Sequence, residues 1–195
     1  MHGGSTRMIA TRQVDADNTA YHPAFTHDNK SRHAMEHQMT RYWLMKSEPE
    51  ECSIDDALAT PQRTVPWTGV RNYQARNFMR DDMQVGDGVL FYHSSCPEPG
   101  ISGIAKVTSS VRPDPTQFDP TSDYFDPKSD PANPRWLLVD VQAQRKTRLL
   151  GLPELRATPE LADLVLLRRG NRLSITPVDE PHWKLVVSLL EHGPR

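Results

Sequence analysis

Eight of the seventeen prolines fall between Pro97 and Pro134. Proline fixes its own φ, lacks a backbone N–H and pushes the preceding residue out of the α region. Residues 113–134 therefore cannot form a long helix or a central strand, and the sequence predicts a long excursion there. Around it the apolar runs are short. Tyr42–Met45, Asp87–His93, Ile101–Val107, Trp136–Ala143 and Leu173–Val178 read as strands. Short helices stand between them: Ser53 with Asp56 resembles a capping box opening a helix through Leu58, and Asn72 is a good N-cap for Tyr73–Arg80. Thr158-Pro159-Glu160 reads as a helix start running to Arg169, with Gly170 as its end. Asp179 caps a last helix whose Trp183, Val186, Val187 and Leu190 share one face, an ordinary core stripe. The strands are separated by short helices, with no βαβ spacing long enough for a parallel sheet, so the reading is a small twisted barrel or curved sheet with helices around it.

The chain has 195 residues, enough for one domain, and a formal charge of -2 from 23 Lys+Arg against 25 Asp+Glu. A protein holding nucleic acid by bulk charge would be distinctly basic, so any such binding must come from a local patch or pocket. Two cysteines in no CxxC arrangement, Cys52 and Cys96, argue against a disulfide scaffold or a thiolate zinc site. No apolar run approaches a membrane span or a signal-peptide core, so the expectation is a cytoplasmic, monomeric protein without cofactor or metal. Residues 1–40 hold His2, His22, His27, His33 and His37 and no sustained apolar period, and are expected to form a mobile tail ahead of a domain over 41–192. Met39 precedes the first apolar run and is the expected native start; an intact Met1 terminus in the protein from its own cell would overturn that.

Catalytic signatures are weak. His93 and Ser94 are adjacent on a strand and point to opposite faces, and there is no nucleophile elbow, P-loop or complete GxGxxG. The segment Trp67-Thr68-Gly69-Val70-Arg71-Asn72-Tyr73-Gln74 is richer: it sets aromatic planes, a glycine, a guanidinium and amides at a loop-to-helix transition. Such groups suit base stacking, base-edge hydrogen bonds and an anion, although Trp67 and Tyr73 as core, Asn72 as a cap and Arg71 in an ion pair explain them equally well. Lys46-Ser47-Glu48-Pro49 places a compact polar set at a strand end, and Tyr92 with His93 alternates on another strand. Arg76, Arg169 and Arg172 are candidates for phosphate contacts, with a solvated helix end the plain alternative for the latter two.

From Arg41 to Leu190 the chain resembles the EVE domain family. The resemblance is carried by Tyr42-Trp43-Leu44-Met45-Lys46-Ser47-Glu48-Pro49 and by Trp67 through Asn77. It continues in Val85-Gly86-Asp87, Phe91-Tyr92-His93-Ser94, Gly100 through Ala105, Tyr124-Phe125-Asp126-Pro127, Trp136, Val139-Asp140-Val141 and Arg169 through Ser174. It implies an α+β, PUA-like pseudo-barrel of mixed strands with peripheral short helices, akin to YTH and ASCH domains. It also implies a non-catalytic module that takes a modified nucleobase of DNA, such as 5-methylcytosine or an oxidised form, into a pocket. The expected ligand-binding residues are Lys46, Ser47, Glu48, Trp67, Gly69, Val70, Arg71, Asn72, Tyr73, Gln74, Tyr92 and His93. A YTH-like RNA-binding module, an enzyme and a protein-interaction module stay open as alternatives for the same cavity.

Overall fold

A computed structural model describes residues 40–192. Apart from Thr40, the expected polar tail lies outside the described residues, as does the Met39 start. The elements run β1 (Tyr42–Ser47), α1 (Pro49–Cys52), α2 (Ile54–Ala59), β2 (Thr64–Pro66), α3 (Tyr73–Asn77), β3 (Gly88–His93) and β4 (Gly100–Val107). They continue with β5 (Arg112–Pro113), β6 (Leu137–Leu138), β7 (Asp140–Gly151), α4 (Leu152–Ala157), β8 (Ile175–Val178) and α5 (Glu180–His192). Six strands make one mixed sheet in the order β2-β7-β4-β3-β1-β8, and β5 pairs with β6 apart from it. This is the PUA-like arrangement of a mixed sheet with few short helices.

β1 and β3 carry continuous apolar runs because helices cover both faces of the sheet there. Alternation sends Trp43, Met45, Val89 and Phe91 to one side, where they meet Ile54 and Ala57 of α2, Ala75 of α3 and Met79. Leu44, Leu90, Ile101 and Leu150 face the other side and meet Leu155 of α4, Leu161, Leu164, and Val186 and Leu190 of α5. Between Phe91 and Tyr92 the β3–β4 register shifts, and the β4–β7 ladder shifts twice. Such bulges bend a strand and raise its twist.

Four sequence expectations need correction. β1 and β3 pair in parallel, Tyr42 against Gly88 through Ser47 against His93. Their connection is 48–87, a composite crossover in which α1, α2, β2 and α3 together supply the length that no one short helix has. The strand expected at Trp136–Ala143 divides into β6 and β7, and β7 runs on to Gly151 through the polar stretch Gln144-Arg145-Lys146, whose side chains are exposed. Thr158 opens no long helix: its hydroxyl donates to the Glu154 carbonyl at 3.0 Å and so closes α4. Beyond it lie two 3-10 turns, Pro159–Leu161 and Val165–Leu167, which bring Leu161, Leu164 and Leu166 into the core; packing overrides helix propensity there. The helix expected through Arg80 is α3 followed by a π-helical turn, Phe78–Asp82. The capping box of Ser53 and Asp56 and the Asp179 cap on α5 form as expected.

The proline-rich excursion is ordered by buried side chains in place of a ladder. Gln117 is fully buried; its amide donates to the carbonyls of Asp114 at 2.7 Å and Trp136 at 2.8 Å. Its carbonyl accepts the N–H groups of Arg135 and Trp136 at 3.0 and 2.9 Å. Asp126 accepts the Trp136 indole N–H at 2.8 Å, closing the excursion onto its own end. One side chain thus pairs four backbone groups; the Trp136 carbonyl also accepts the Asp114 N–H at 3.0 Å and the Asp114 carbonyl the Gln117 N–H at 3.4 Å, while the Arg135 and Trp136 N–H groups depend on the Gln117 carbonyl. Gln117→Leu, similar in size, leaves the Arg135 and Trp136 N–H groups without that partner. It is expected to cost about 2–4 kcal/mol, read as a lower urea midpoint at unchanged slope; a loss under about 1 kcal/mol would show that water replaces the amide.

Candidate ligand-binding site

β1 and β3 end side by side, tied by the Ser94 N–H donating to the Ser47 carbonyl at 2.9 Å. Pro49 then turns the chain into α1, and a cavity of about 400 Å³ opens at this end of the sheet. That size suits a small planar ligand. Of the expected residues, Lys46, Ser47, Glu48, Trp67, Gly69, Val70 and Arg172 line it. Glu51, Cys52, Val65, Pro66, Thr68, Ser94, Ser95, Tyr124 and Ser174 also line it and were not among the expected ligand-binding residues. Tyr124 stood in a quoted motif, but inside a segment with no readable secondary structure, so nothing in the sequence aimed it at the cavity.

The other candidates lie elsewhere. Asn72 accepts the N–H groups of Gln74 and Ala75 at 2.9 and 3.1 Å as the α3 cap, and Gln74 is exposed. Tyr92 is buried in the core on the opposite face, with the Lys46 ammonium 6.0 Å from its ring centre. His93 Nε2 accepts the Ile54 N–H at 3.0 Å, and burial lowers its basicity. Tyr73 stacks on Trp136 at 5.0 Å, Arg76 lies 4.9 Å from the Tyr73 ring, and Arg169 is exposed.

Arg71 forms the wall's support. Its guanidinium donates to Asp114 at 2.8 Å, to the Tyr124 carbonyl at 2.9 and 2.5 Å and to the Thr116 hydroxyl at 2.8 Å. Asp114 is fully buried and also accepts the Gly69 N–H at 3.0 Å and both the N–H and hydroxyl of Thr116. Burial pushes its carboxyl upward, but the hydrogen bonds from Arg71, Thr116 and Gly69 outweigh it and hold it below the usual carboxylate range. Gly69 sits at φ +78, and a Cβ there would lie 2.6 Å from the Tyr124 ring, so only glycine lets that ring lie flat on the loop. The Tyr124 hydroxyl donates to the Glu51 carboxylate across the cavity; burial, then that carboxylate, push its pKa up to about 12. Tyr124, Arg71, Trp136, Tyr73 and Arg76 form a continuous series of ring–cation and ring–ring contacts.

Inside the cavity several polar groups are uncommitted. The side chains of Lys46, Thr68, Ser174 and Arg172 have no hydrogen bond or ion pair among the described residues. Burial lowers the Lys46 pKa, so an acceptor or anion there would relieve a desolvated charge. Trp67 is 6% exposed and meets Phe91 edge-on at 5.2 Å, so it serves the core as well as the cavity. The Cys52 thiol is pushed up by burial and then by Asp56 and Glu51, which makes it a poor nucleophile.

The family model described as the EVE domain matches residues 41–189. Human thymocyte nuclear protein 1 is 40% identical over 174 residues, covering 80% of this chain and 76% of its own. The crystal structure of that human protein in complex with 5-methylcytosine-containing DNA superposes with a TM-score of 0.75 at 42% identity, covering 80% of this chain and all of the other. An X-ray structure of a protein from Pseudomonas putida gives a TM-score of 0.72 at 48% identity, covering 76% of this chain and 98% of its own.

Removing Arg71 strands the Asp114 charge in the interior. Arg71→Ala is expected to cost about 3–5 kcal/mol at neutral pH. Because the folded Asp114 pKa lies below its unfolded value near 3.9, its contribution is present above that pH and is lost as pH falls through the folded value. The stability gap between wild type and Arg71→Ala should therefore narrow on acidification in urea melts; a gap constant with pH would show that the pair carries little of it.

Proposed function

The chain belongs to the EVE domain family, and on that premise we propose that it is a non-catalytic nucleic-acid-binding module whose cavity receives a modified nucleobase, 5-methylcytosine or an oxidised derivative. The observation that carries this reading is the cavity itself: uncommitted donors, two carboxylates and aromatic rings gathered at one strand end. The human relative solved with 5-methylcytosine-containing DNA, at 42% identity, supports the choice of ligand.

A base reaches such a cavity from a single strand, or by flipping from a duplex at a cost of a few kcal/mol. Lys46 and Arg172 would donate to ring carbonyl and nitrogen acceptors, while Glu48 and the free oxygen of Glu51 would accept from an exocyclic amino group. Trp67 and Tyr124 supply aromatic surface, and Val65, Pro66 and Val70 an apolar wall for a methyl group. Arg169, exposed and three residues along the chain from Arg172, would serve a phosphate of the same strand. The non-catalytic character rests on how the candidate groups are engaged. His93 Nε2 is spent on a backbone N–H, the Ser47 hydroxyl donates to the Cys52 carbonyl at 2.8 Å, and the Cys52 thiol is held protonated.

The test is equilibrium binding of the full chain to short oligonucleotides carrying cytosine or 5-methylcytosine. One buried methyl is worth about 0.8 kcal/mol, so the expected preference is about fourfold. Lys46→Met, which breaks no hydrogen bond of its own side chain, should weaken the modified oligonucleotide at least about tenfold. Trp67→Ala is the poorer probe, since truncating a core tryptophan costs about 3–5 kcal/mol of stability. Equal affinity for both bases, unchanged in Lys46→Met, would overturn the reading. Ribose oligonucleotides in parallel would expose a reader that uses the 2′-hydroxyl.

A further inference from the structure

A second recess of about 290 Å³ lies on the proline-rich excursion, lined by Tyr73, Arg76, Lys128, Asp130 and Arg135 among others. None of these residues lines the cavity described above. Half of the lysines and arginines among the described residues are matched to a carboxylate: Arg41, Arg71, Arg80, Arg112, Arg135, Arg145, Lys146, Arg148 and Lys184. Arg76 and Lys128 have no such partner among the described residues. Arg76 spends its Nε and one Nη2 hydrogen on the Asn77 side-chain carbonyl and one Nη1 hydrogen on the Arg135 carbonyl. Two of its five N–H donors remain open. The Lys128 ammonium is wholly open; only its backbone is engaged, the N–H with Asp126 and the carbonyl with Arg135.

The recess thus presents two unmatched cations on a chain of net charge -2. Of its carboxylate, Asp130, one oxygen is held by the Ala132 N–H at 2.8 Å. The guanidinium is also held in place. It lies 4.9 Å from the Tyr73 ring, which stacks on Trp136, which lies against Arg71 beneath Tyr124. Tyr124 lines the cavity, and Lys128 is four residues further along the chain. Four residues span at most about 14 Å, a distance covered by about four stacked nucleotides at 3.4 Å each.

We propose that this recess is a phosphate-binding subsite for the strand whose base enters the cavity, with Arg76 and Lys128 contacting phosphodiester oxygens a few nucleotides from that base. It rests on the nucleic-acid reading above, and gives that reading a second contact away from the base. Arg76 is oriented by Tyr73 and Asn77 and offers a two-donor edge, whereas Lys128 acts as a mobile point charge.

The experiment measures binding of the full chain to single-stranded oligonucleotides, with and without one 5-methylcytosine, and to free 5-methyl-2′-deoxycytidine, across a salt series. For Lys128→Ala and Arg76→Gln, each lost contact should lower the slope of log affinity against log salt by about 0.7, equivalent to about a fivefold loss at 0.1 M salt. The loss should be the same with cytosine and 5-methylcytosine, and nucleoside affinity should stay at the wild-type value. Lys46→Met, by contrast, should weaken the nucleoside and leave the salt slope intact. Two variants whose oligonucleotide affinity and slope match wild type would overturn the subsite while leaving the cavity reading standing. Slopes reduced by both variants with no preference for the modified base would support the subsite and overturn the cavity reading. A wild-type chain that binds no oligonucleotide would overturn both, and a loss mirrored in free nucleoside would show that the recess acts only through folding of the cavity wall.

Discussion

The buried ion pair of Arg71 and Asp114 is the constraint on which the cavity depends. Two separate pieces of chain meet there, the loop after β2 and the start of the proline-rich excursion, each just past the end of a short strand pairing. Asp114 is wholly inside the protein, so its charge is tolerable only because four donors surround it. Arg71 is the fork that matches this carboxylate and still reaches the Tyr124 carbonyl. A lysine could supply the charge but not the several directed donors. The cavity wall is therefore built largely from polar groups that have already been used, and among the described residues this leaves Lys46, Glu48 and Arg172 as the cavity's charges without a hydrogen-bond or ion-pair partner.

The sheet supplies the rigid side of the same cavity. Because helices cover both faces, β1 and β3 are fixed by packing in two directions, and their parallel pairing brings Ser47 and His93 to the same end. A site built on strand ends is held more tightly than one built on loops alone. The opposite wall is irregular chain, and the side chain of Gln117 does for it what a neighbouring strand would do. One rigid wall and one wall held by directed hydrogen bonds meet over Gly69, where the absent Cβ lets the Tyr124 ring approach.

Histidine, serine and cysteine at this end of the molecule turn out to have structural work. The His93 ring accepts the N–H that opens α2, and the Ser47 hydroxyl closes α1. The Cys52 thiol sits in a half-buried, acidic setting that disfavours its thiolate. Residue types that suggest catalysis in a linear reading are consumed by the short helices they adjoin, because helices this short need most of their terminal groups satisfied from outside.

The positions of β1, β3, β4 and β8, the caps at Ser53, Asn72 and Asp179 and the irregular character of 113–134 were legible in the sequence, because each follows from local physics: side-chain alternation, a polar side chain at a helix start, proline's missing N–H. So was the polar strand end at Lys46-Ser47-Glu48, and the family motifs pointed to Trp67 and Gly69. Partnership was not legible. Nothing local tells that β1 pairs with β3 in parallel, that Thr158 closes α4, or that Asn72 and Gln74 serve α3 while Tyr124 and Glu51 face the cavity. Residues 71 and 114, or 51 and 124, meet only after the chain has crossed the sheet. That meeting is decided by which buried charges and backbone groups can find partners in the folded whole, a condition that no stretch of sequence contains by itself.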